Sequence, residues 1–198
     1  MAGESTHVLD VGDRAPPFEL PGTDDETYGQ HDFADVEALL IVFTCNHCPY
    51  AQAKHPTLNA IAADYDEVAV VGINSNDAEA YPDDSAARMR EEVDEGTVAY
   101  DAYLYDESQD VAAAYGAVCT PDPFLFVRRD GEFVLAYHGR LDDAMNPDDD
   151  PSGPPGFEMR EAIDAALAGE PIDEEFRPAR GCTIKWRPGN EPDYWDDL

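Results

Sequence analysis

Lysine is nearly absent from this chain, which has only Lys54 and Lys185 among its 198 residues. Basic side chains number 12 against 44 acidic ones, and the formal net charge is −32. So negative a surface repels phosphate backbones and anionic lipid head groups, which argues against nucleic-acid partners and against membrane binding through basic patches. Aspartate runs such as residues 148–150 are typical of salt-accumulating halophiles, and we expect an acidic, hydrated surface. A cation-binding loop at 142–150 is the alternative, although its irregular spacing is unlike that of a calcium loop.

Long hydrophobic runs are also missing. The longest strongly aliphatic segment, residues 38–43, is far too short to span a bilayer, and the first residues lack the basic segment and apolar run of an export signal. We therefore expect a cytoplasmic protein, in which four cysteines are more typical of redox chemistry or metal binding than of structural disulfides. Apolar residues make up 43% of the chain, enough for a core, and the length favours one domain.

Alternating strand and helix patterns predict an α/β fold with a central mixed sheet. Continuous apolar runs are typical of strands buried on both faces, and an Asp-Gly turn between two apolar runs predicts a hairpin. In chain order, the pattern predicts strand 38–43, helix 48–64, strand 68–73, helix 83–94, helix 108–115, hairpin 124–138, helix 157–168 and a short strand at 183–186. A βαβα order followed by a hairpin and a helix produces a sheet that ends antiparallel.

Two cysteines stand between the first predicted strand and helix, in Thr44-Cys45-Asn46-His47-Cys48-Pro49. A helix start offers unpaired N–H groups and the positive end of the helix dipole, and both stabilise a thiolate, the species that attacks a disulfide. The two intervening residues allow the second sulfur to resolve a mixed disulfide formed by the first. Half of a zinc site has the same spacing, but the position after a buried strand favours redox chemistry.

A threonine-proline pair, Thr120-Pro121, precedes the strand predicted from residue 124. The thioredoxin fold places a cis-proline at this point, beside its active cysteines, and we expect a cis bond here. An ordinary proline turn is the alternative. The expected role of Thr120 and Pro121 is to position a bound substrate chain against the thiolate.

Several further segments resemble the peroxiredoxin-like subgroup of redoxin-domain proteins, in the branch of the thioredoxin superfamily that includes alkyl hydroperoxide reductase and thiol-specific antioxidant. They lie at residues 11–20, 43–50, 72–77, 104–106, 115–122 and 181–190. The resemblance implies a thioredoxin fold with an N-terminal extension and a C-terminal tail. We expect a redoxin domain over residues 1–170 and an extension over 171–198 that packs on it.

Departures from the peroxiredoxin pattern bear on the activity. Peroxiredoxins have a threonine three positions before the peroxide-reactive cysteine and an arginine before the later strand, whereas Thr44 stands four before Cys48 and no arginine lies near Cys119. The resemblance therefore implies a thiol–disulfide oxidoreductase in which Cys45 attacks and Cys48 resolves. A thiol peroxidase is the first alternative, with Cys48 at the peroxidatic position, and a metal-binding or redox-sensing module without turnover is the second.

The resemblance also implies how the site is tuned. His47 stands in the third motif position, as in strongly oxidising relatives, and with Thr44 it is expected to tune the Cys45 thiolate and to raise the reduction potential above that of thioredoxin. Thioredoxin keeps a buried acid six residues before its first cysteine. This chain has Leu39 there and no acid within five positions of Cys45, so another group or water must take the proton of Cys48.

The remaining expectations concern the other cysteines, cofactors and partners. Cys119 is expected to be a small buried side chain, although a tail folded over the site would let Cys119 and Cys182 pair, or join the motif in binding zinc. No cofactor is expected beyond a redox-active disulfide, with zinc as the lesser alternative. Substrates would be protein or small-molecule disulfides, or else peroxides, with an unidentified thiol as reductant.

Overall fold

The structure is a computed structural model that describes residues 2–172 and 175–197. Its strands are β1 (Ala2–Glu4), β2 (Glu19–Pro21), β3 (Thr27–Gly29), β4 (Ala38–Phe43), β5 (Val68–Asn74), β6 (Ala102–Tyr105), β7 (Cys119–Thr120), β8 (Asp122–Arg129), β9 (Glu132–His138) and β10 (Arg180–Thr183). Its α-helices are α1 (Pro49–Asp64), α2 (Ala86–Asp94), α3 (Asp110–Tyr115) and α4 (Phe157–Ala168). Short 3-10 helices lie at Gln30–Phe33, Pro82–Asp84 and Asp193–Asp197. Within these residues no helix combines the length and the apolar character needed to cross a membrane.

The main sheet has five strands in the order β6-β5-β4-β8-β9. Strand β4 lies at its centre, parallel to β5 and antiparallel to β8, and all six of its residues are fully buried. Alternate β4 side chains reach opposite faces. Leu40 and Val42 belong to the cluster that includes α1 and α4 residues, whereas Leu39 and Ile41 belong to the cluster that includes α3 residues. Both faces are covered, which explains the unbroken apolar run and confirms the predicted mixed sheet flanked by helices.

Local signals predicted most element boundaries well. The predicted helix 157–168 is α4, with Gly169 as its left-handed C-cap. The helix predicted over 83–94 is shorter, because Pro82–Asp84 forms a 3-10 turn and Ser85 caps α2. The strand predicted over 183–186 is misplaced, since β10 ends at Thr183. Its position depends on pairing with two distant strands, which a local pattern does not encode.

A second sheet joins the two ends of the chain in the order β1-β10-β7. Strand β10 lies in the middle, antiparallel to both neighbours, with Cys182 opposite Ala2 on one side and opposite Thr120 on the other. Residues after β10 continue along the domain, where the Lys185 carbonyl accepts a hydrogen bond from the Asp77 N–H at 2.9 Å. The C-terminal segment therefore lies against β7, although the division of the chain at residue 170 stays a prediction.

The acidic segment after the hairpin includes one buried carboxylate, that of Asp142. It pairs with Lys54 and accepts backbone hydrogen bonds from Gly156 at 2.7 Å and Ala144 at 3.2 Å. Arg140 pairs with both carboxylate oxygens of Glu158. These groups hold the segment that leads to α4.

Candidate active site

The two motif cysteines lie where β4 gives way to α1. The Thr44 N–H donates to the Ile73 carbonyl and extends the β4–β5 ladder to the edge of the motif, and Cys48 is the N-cap of α1. Both cysteine side chains are fully buried. Because Cys48 is the residue just before the first turn of α1, it lies beside N–H groups that have no partner within the helix.

Strand β7 supplies the opposite wall of the site. Cys45 Sγ lies 3.2 Å from Thr120 Oγ1, and Cys48 Sγ lies 3.5 Å from the Thr120 carbonyl oxygen. The bond between Thr120 and Pro121 is cis, as we expected. Thr120 thus touches both sulfurs, from a position 72 residues along the chain from Cys48.

The pKa values of the two thiols move in opposite directions. A hydrogen bond from the Cys45 thiol lowers the pKa of Cys48 to about 5, and it is aided by the Cys182 thiol and the Ala51 backbone N–H. Burial raises the pKa of Cys45 well above its usual value, and the hydrogen bond with Cys48 adds to this. These directions agree with the position of Cys48 at the start of α1, where a thiolate is stabilised. This favours Cys48 as the nucleophile rather than Cys45.

A buried carboxylate, Asp84, organises the Cys45–Cys48 loop. The Asn46 N–H donates to Oδ1 of Asp84 at 2.8 Å, and the Asn76 side-chain amide donates to Oδ2 at 2.7 Å. His47 Nδ1 hydrogen-bonds to the same Oδ2. The Tyr81 ring stacks on the His47 ring with centroids 5.3 Å apart. His47 is thus held by Asp84 on one edge and by Tyr81 on one face.

Sequence reasoning missed Asp84, because residues 83–85 read as a helix cap. The residue is fully buried and reaches the loop from the Pro82–Asp84 turn, 38 positions after Asn46. Cys45, His47 and Asp84 each place one potential metal-ligand atom within 4.8 Å of the others. The site therefore has a buried acid next to its cysteines, supplied from another element than in thioredoxin, and its charge adds to the raised pKa of Cys45.

Metal binding was the alternative for the four cysteines. In the part of the chain that the structure describes, they do not form a compact ligand group, because only Cys45, His47 and Asp84 bring their donor atoms within the reach of one ion. Cys119 is fully buried, and its sulfur lies 3.6 Å from the Pro121 carbonyl. His47 and Asp84 already bind each other, so their donor atoms are satisfied without an ion.

Cys182 joins the site from the tail. It packs against the cluster of Cys45, Cys48 and Ala51, and its thiol hydrogen-bonds with that of Cys48. Burial raises the pKa of Cys182 to about 11, and the bond to Cys48 contributes. Unlike the two motif cysteines it is partly exposed. The structure therefore brings Cys182, but not Cys119, to the motif.

Two further side chains buttress the loop from beneath. The Tyr103 hydroxyl donates to the Asn46 side-chain oxygen at 2.8 Å. His55 is buried and lies 2.5 Å from the Tyr100 hydroxyl. Burial lowers the pKa of His55 to about 4, against the opposite effect of its hydrogen bond to the Cys45 backbone, so the ring is neutral at pH 7.

Residues 11–142 match the model of the AhpC/TSA family, and this range contains both motif cysteines and Pro121. The chain belongs to the AhpC/TSA family. Among curated proteins, none matches it.

Solved structures extend the likeness to nearly the whole chain. An uncharacterized conserved protein from Geobacillus kaustophilus is 40% identical with a TM-score of 0.87, over 96% of this chain and 98% of that one. A hypothetical protein from Sinorhizobium meliloti is 39% identical with a TM-score of 0.86, over 94% and 99%. A proposed thiol:disulfide interchange protein DsbE from Chlorobium tepidum is 24% identical with a TM-score of 0.57, over 80% and 99%. The last likeness is one of fold, and the fold is the expected thioredoxin fold.

Proposed function

We propose that this protein is a thiol–disulfide oxidoreductase that works through the Cys45–Cys48 dithiol and disulfide and needs no other cofactor. The observation that supports the proposal most is geometric: the two cysteines lie between the end of β4 and the start of α1, and Thr120 beside the cis-proline contacts both sulfurs. Exchange needs a thiolate to attack and a second thiol within reach to resolve the mixed disulfide. The proposal keeps the cytoplasmic location as a prediction.

The first step uses the Cys48 thiolate. It attacks one sulfur of the substrate disulfide, a Cys48–substrate bond forms, and the other substrate sulfur leaves as a thiolate that takes a proton from water. These roles reverse those inferred from the resemblance, because Cys48 rather than Cys45 meets the start of α1. Thr120, which touches both sulfurs, acts as a positioning residue.

The second step needs Cys45 to lose its proton. The Asp84–His47 pair is the acceptor we propose, since its donor atoms lie within 4.8 Å of Cys45 Sγ. The resulting Cys45 thiolate attacks Cys48 Sγ, the Cys45–Cys48 bond forms, and the remaining substrate sulfur leaves. The substrate has gained two electrons and the protein has lost them, so an external thiol must reduce the protein for another turnover.

Thiol peroxidase activity is the second candidate. The lowered pKa of Cys48 and its match to the peroxidatic position favour it, as does the family. However, none of the described hydrogen-bond partners of the two sulfurs is an arginine, the residue that polarises peroxide in peroxiredoxins. Disulfide exchange therefore remains the better supported function.

Reduction of a small aromatic disulfide by the dithiol form tests the proposal. Wild type should turn over with dithiothreitol as reductant, and Cys48→Ser should form no adduct at the motif. Cys45→Ser combined with Cys182→Ser should accumulate a mixed disulfide at Cys48, because no neighbouring thiol is left to resolve it. Cys119→Ala, outside the motif, is the matched control and should behave as wild type. A Cys48→Ser variant as active as wild type would overturn the proposal. Rapid oxidation of Cys48 by hydrogen peroxide without disulfide turnover would favour the peroxidase.

A further inference from the structure

Within the described residues, the side chains of both motif cysteines are closed off from solvent. Both are fully buried, whereas Cys182, which packs against the cluster of Cys45, Cys48 and Ala51, is partly exposed. A protein disulfide that approaches from solvent therefore meets the tail before it meets Cys48. Access of a protein substrate to Cys48 thus depends on β10, the strand that carries Cys182.

The covering strand, β10, occupies the edge that we expected a substrate chain to use. It pairs antiparallel with β7, with Cys182 opposite Thr120 and Thr183 opposite Cys119. Thr120 Oγ1 donates to the Cys182 carbonyl at 3.4 Å. A cysteine in an extended strand against the residue before the cis-proline is the arrangement that an exchange partner would adopt.

Glycine at position 181 makes this close approach possible. A Cβ atom there would lie 2.0 Å from the Thr120 carbonyl oxygen and 2.5 Å from its carbonyl carbon. Both are backbone atoms, so β10 would have to move by about 1 Å to admit any side chain. The close contact between β10 and Thr120 therefore requires a glycine at position 181.

We propose that β10 is a built-in substrate strand and that Cys182 is a third exchange thiol, which forms a disulfide with Cys48. This inference rests on the proposed function, since it uses the same reactive Cys48. It adds an intramolecular partner that carries the disulfide from the buried motif to the protein surface.

The exchange balances without an added oxidant. Starting from the Cys45–Cys48 disulfide, the Cys182 thiolate attacks Cys48 Sγ, the Cys48–Cys182 bond forms and the Cys45–Cys48 bond breaks. Cys182 gives its proton to solvent, and Cys45 leaves as a thiolate that takes one proton from the neighbouring Asp84–His47 pair, which solvent reprotonates, so the proton count is unchanged. Two sulfurs remain oxidised throughout, and an external dithiol can then attack the partly exposed Cys182 sulfur and reduce the protein.

Peptide mapping of oxidised protein tests the inference. Trypsin should release residues 15–54, with both motif cysteines, and residues 181–185, with Cys182. In Cys45→Ser oxidised with diamide, we expect these two peptides to be linked through Cys48 and Cys182. In wild type held in a dithiothreitol redox buffer and then alkylated, a fraction of 181–185 should be linked to 15–54 as well.

Gly181→Ala tests the role of strand β10 while the Cys182 thiol stays in the chain. Because a misplacement of about 1 Å costs ~100-fold in an oriented reaction, we expect Cys48–Cys182 linkage to slow by about that factor. The same variant should react faster with a protein disulfide such as insulin, since the β7 edge is freed. Asp150→Ala, an exposed substitution outside both strands, should change neither rate.

The outcomes separate this inference from the proposed function. If Cys48 reacts with the small disulfide but no 181–185 peptide is linked in either protein, the inference is wrong and the proposed function stands. If Cys48 does not react at all, both fail. Linkage at an unchanged rate in Gly181→Ala would also overturn the role of β10, whereas slowed linkage with faster insulin reduction supports it.

Discussion

The reduction potential of the Cys45–Cys48 couple should depend on pH with half the slope of an ordinary dithiol. Reducing a disulfide takes two electrons, and each proton taken up with them contributes about 30 mV per pH unit. Cys45 keeps its proton because burial raises its pKa, while Cys48 does not because its pKa falls to about 5. From about pH 6 to about pH 8 we therefore expect ~30 mV per unit instead of ~60 mV.

The lowered pKa of Cys48 also sets the expected value of the reduction potential. An ordinary thiol of pKa 9.0 would be protonated at neutral pH, whereas Cys48 is ionised. At pH 7 the thiolate stabilises the reduced form by two pKa units, or about 3 kcal/mol, which raises the potential by ~60 mV. Because the folded pKa is depressed, this stabilisation is complete above about pH 9, shrinks as the pH falls, and is lost below about pH 5. We expect a value above the −270 mV of thioredoxin at about pH 7.

Equilibration with dithiothreitol buffers at a series of pH values, followed by alkylation and mass analysis, measures the potential directly. Cys119→Ala should leave both slope and value unchanged. Cys182→Ala removes one hydrogen bond that lowers the pKa of Cys48. The pH range in which the potential changes by ~60 mV per unit should therefore extend to higher pH. A slope of ~60 mV per unit through neutrality would show that Cys48 keeps its proton, and would refute the thiolate assignment.

Three further predictions concern the buried acids and the surface charge. Asp84→Asn should slow resolution of the Cys48 mixed disulfide by Cys45 about 100-fold near neutral pH. Stopped-flow release of an aromatic thiol checks this, and an unchanged rate would contradict the proton route. Asp142→Ala should lower the free energy of unfolding by ~3–5 kcal/mol in urea titrations, because it leaves Lys54 unpaired in a buried setting, while the exposed Asp150→Ala should change it by less than about 0.5 kcal/mol. With a net charge of −32, stability to urea should rise as potassium chloride is increased to molar levels, and equal stability in dilute buffer would count against the halophile hypothesis.

Sequence patterns predicted the elements whose signals are local. The apolar run of β4, the Asp-Gly turn of the β8–β9 hairpin and the glycine stop after α4 all rest on residues within one element or at its ends. The placement of Cys48 at a helix start was predicted in the same way, whereas the cis bond at Pro121 was predicted by comparison with the thioredoxin fold. The local features depend on backbone preference and on burial of one segment, and both can be inferred from consecutive residues.

Two members of the site depended on contacts between distant segments. Asp84 enters because the Pro82–Asp84 turn packs under the Cys45–Cys48 loop, and nothing in its neighbourhood distinguishes it from the other aspartates of this acidic chain. Cys182 enters because β10 inserts between β1 and β7, where Gly181 allows contact with Thr120.

By itself the sequence determined that two cysteines stand at a strand-helix junction of a thioredoxin-like α/β domain. Only the tertiary structure decided which acid faces the pair and which thiol packs beside it, and both bear on the proposal that Cys48 is the thiolate. The physical reason is that a thiol's pKa depends on burial and on hydrogen bonds. For Cys45 and Cys48 these are supplied in part by Asp84, Thr120 and Cys182, from segments that only folding brings together.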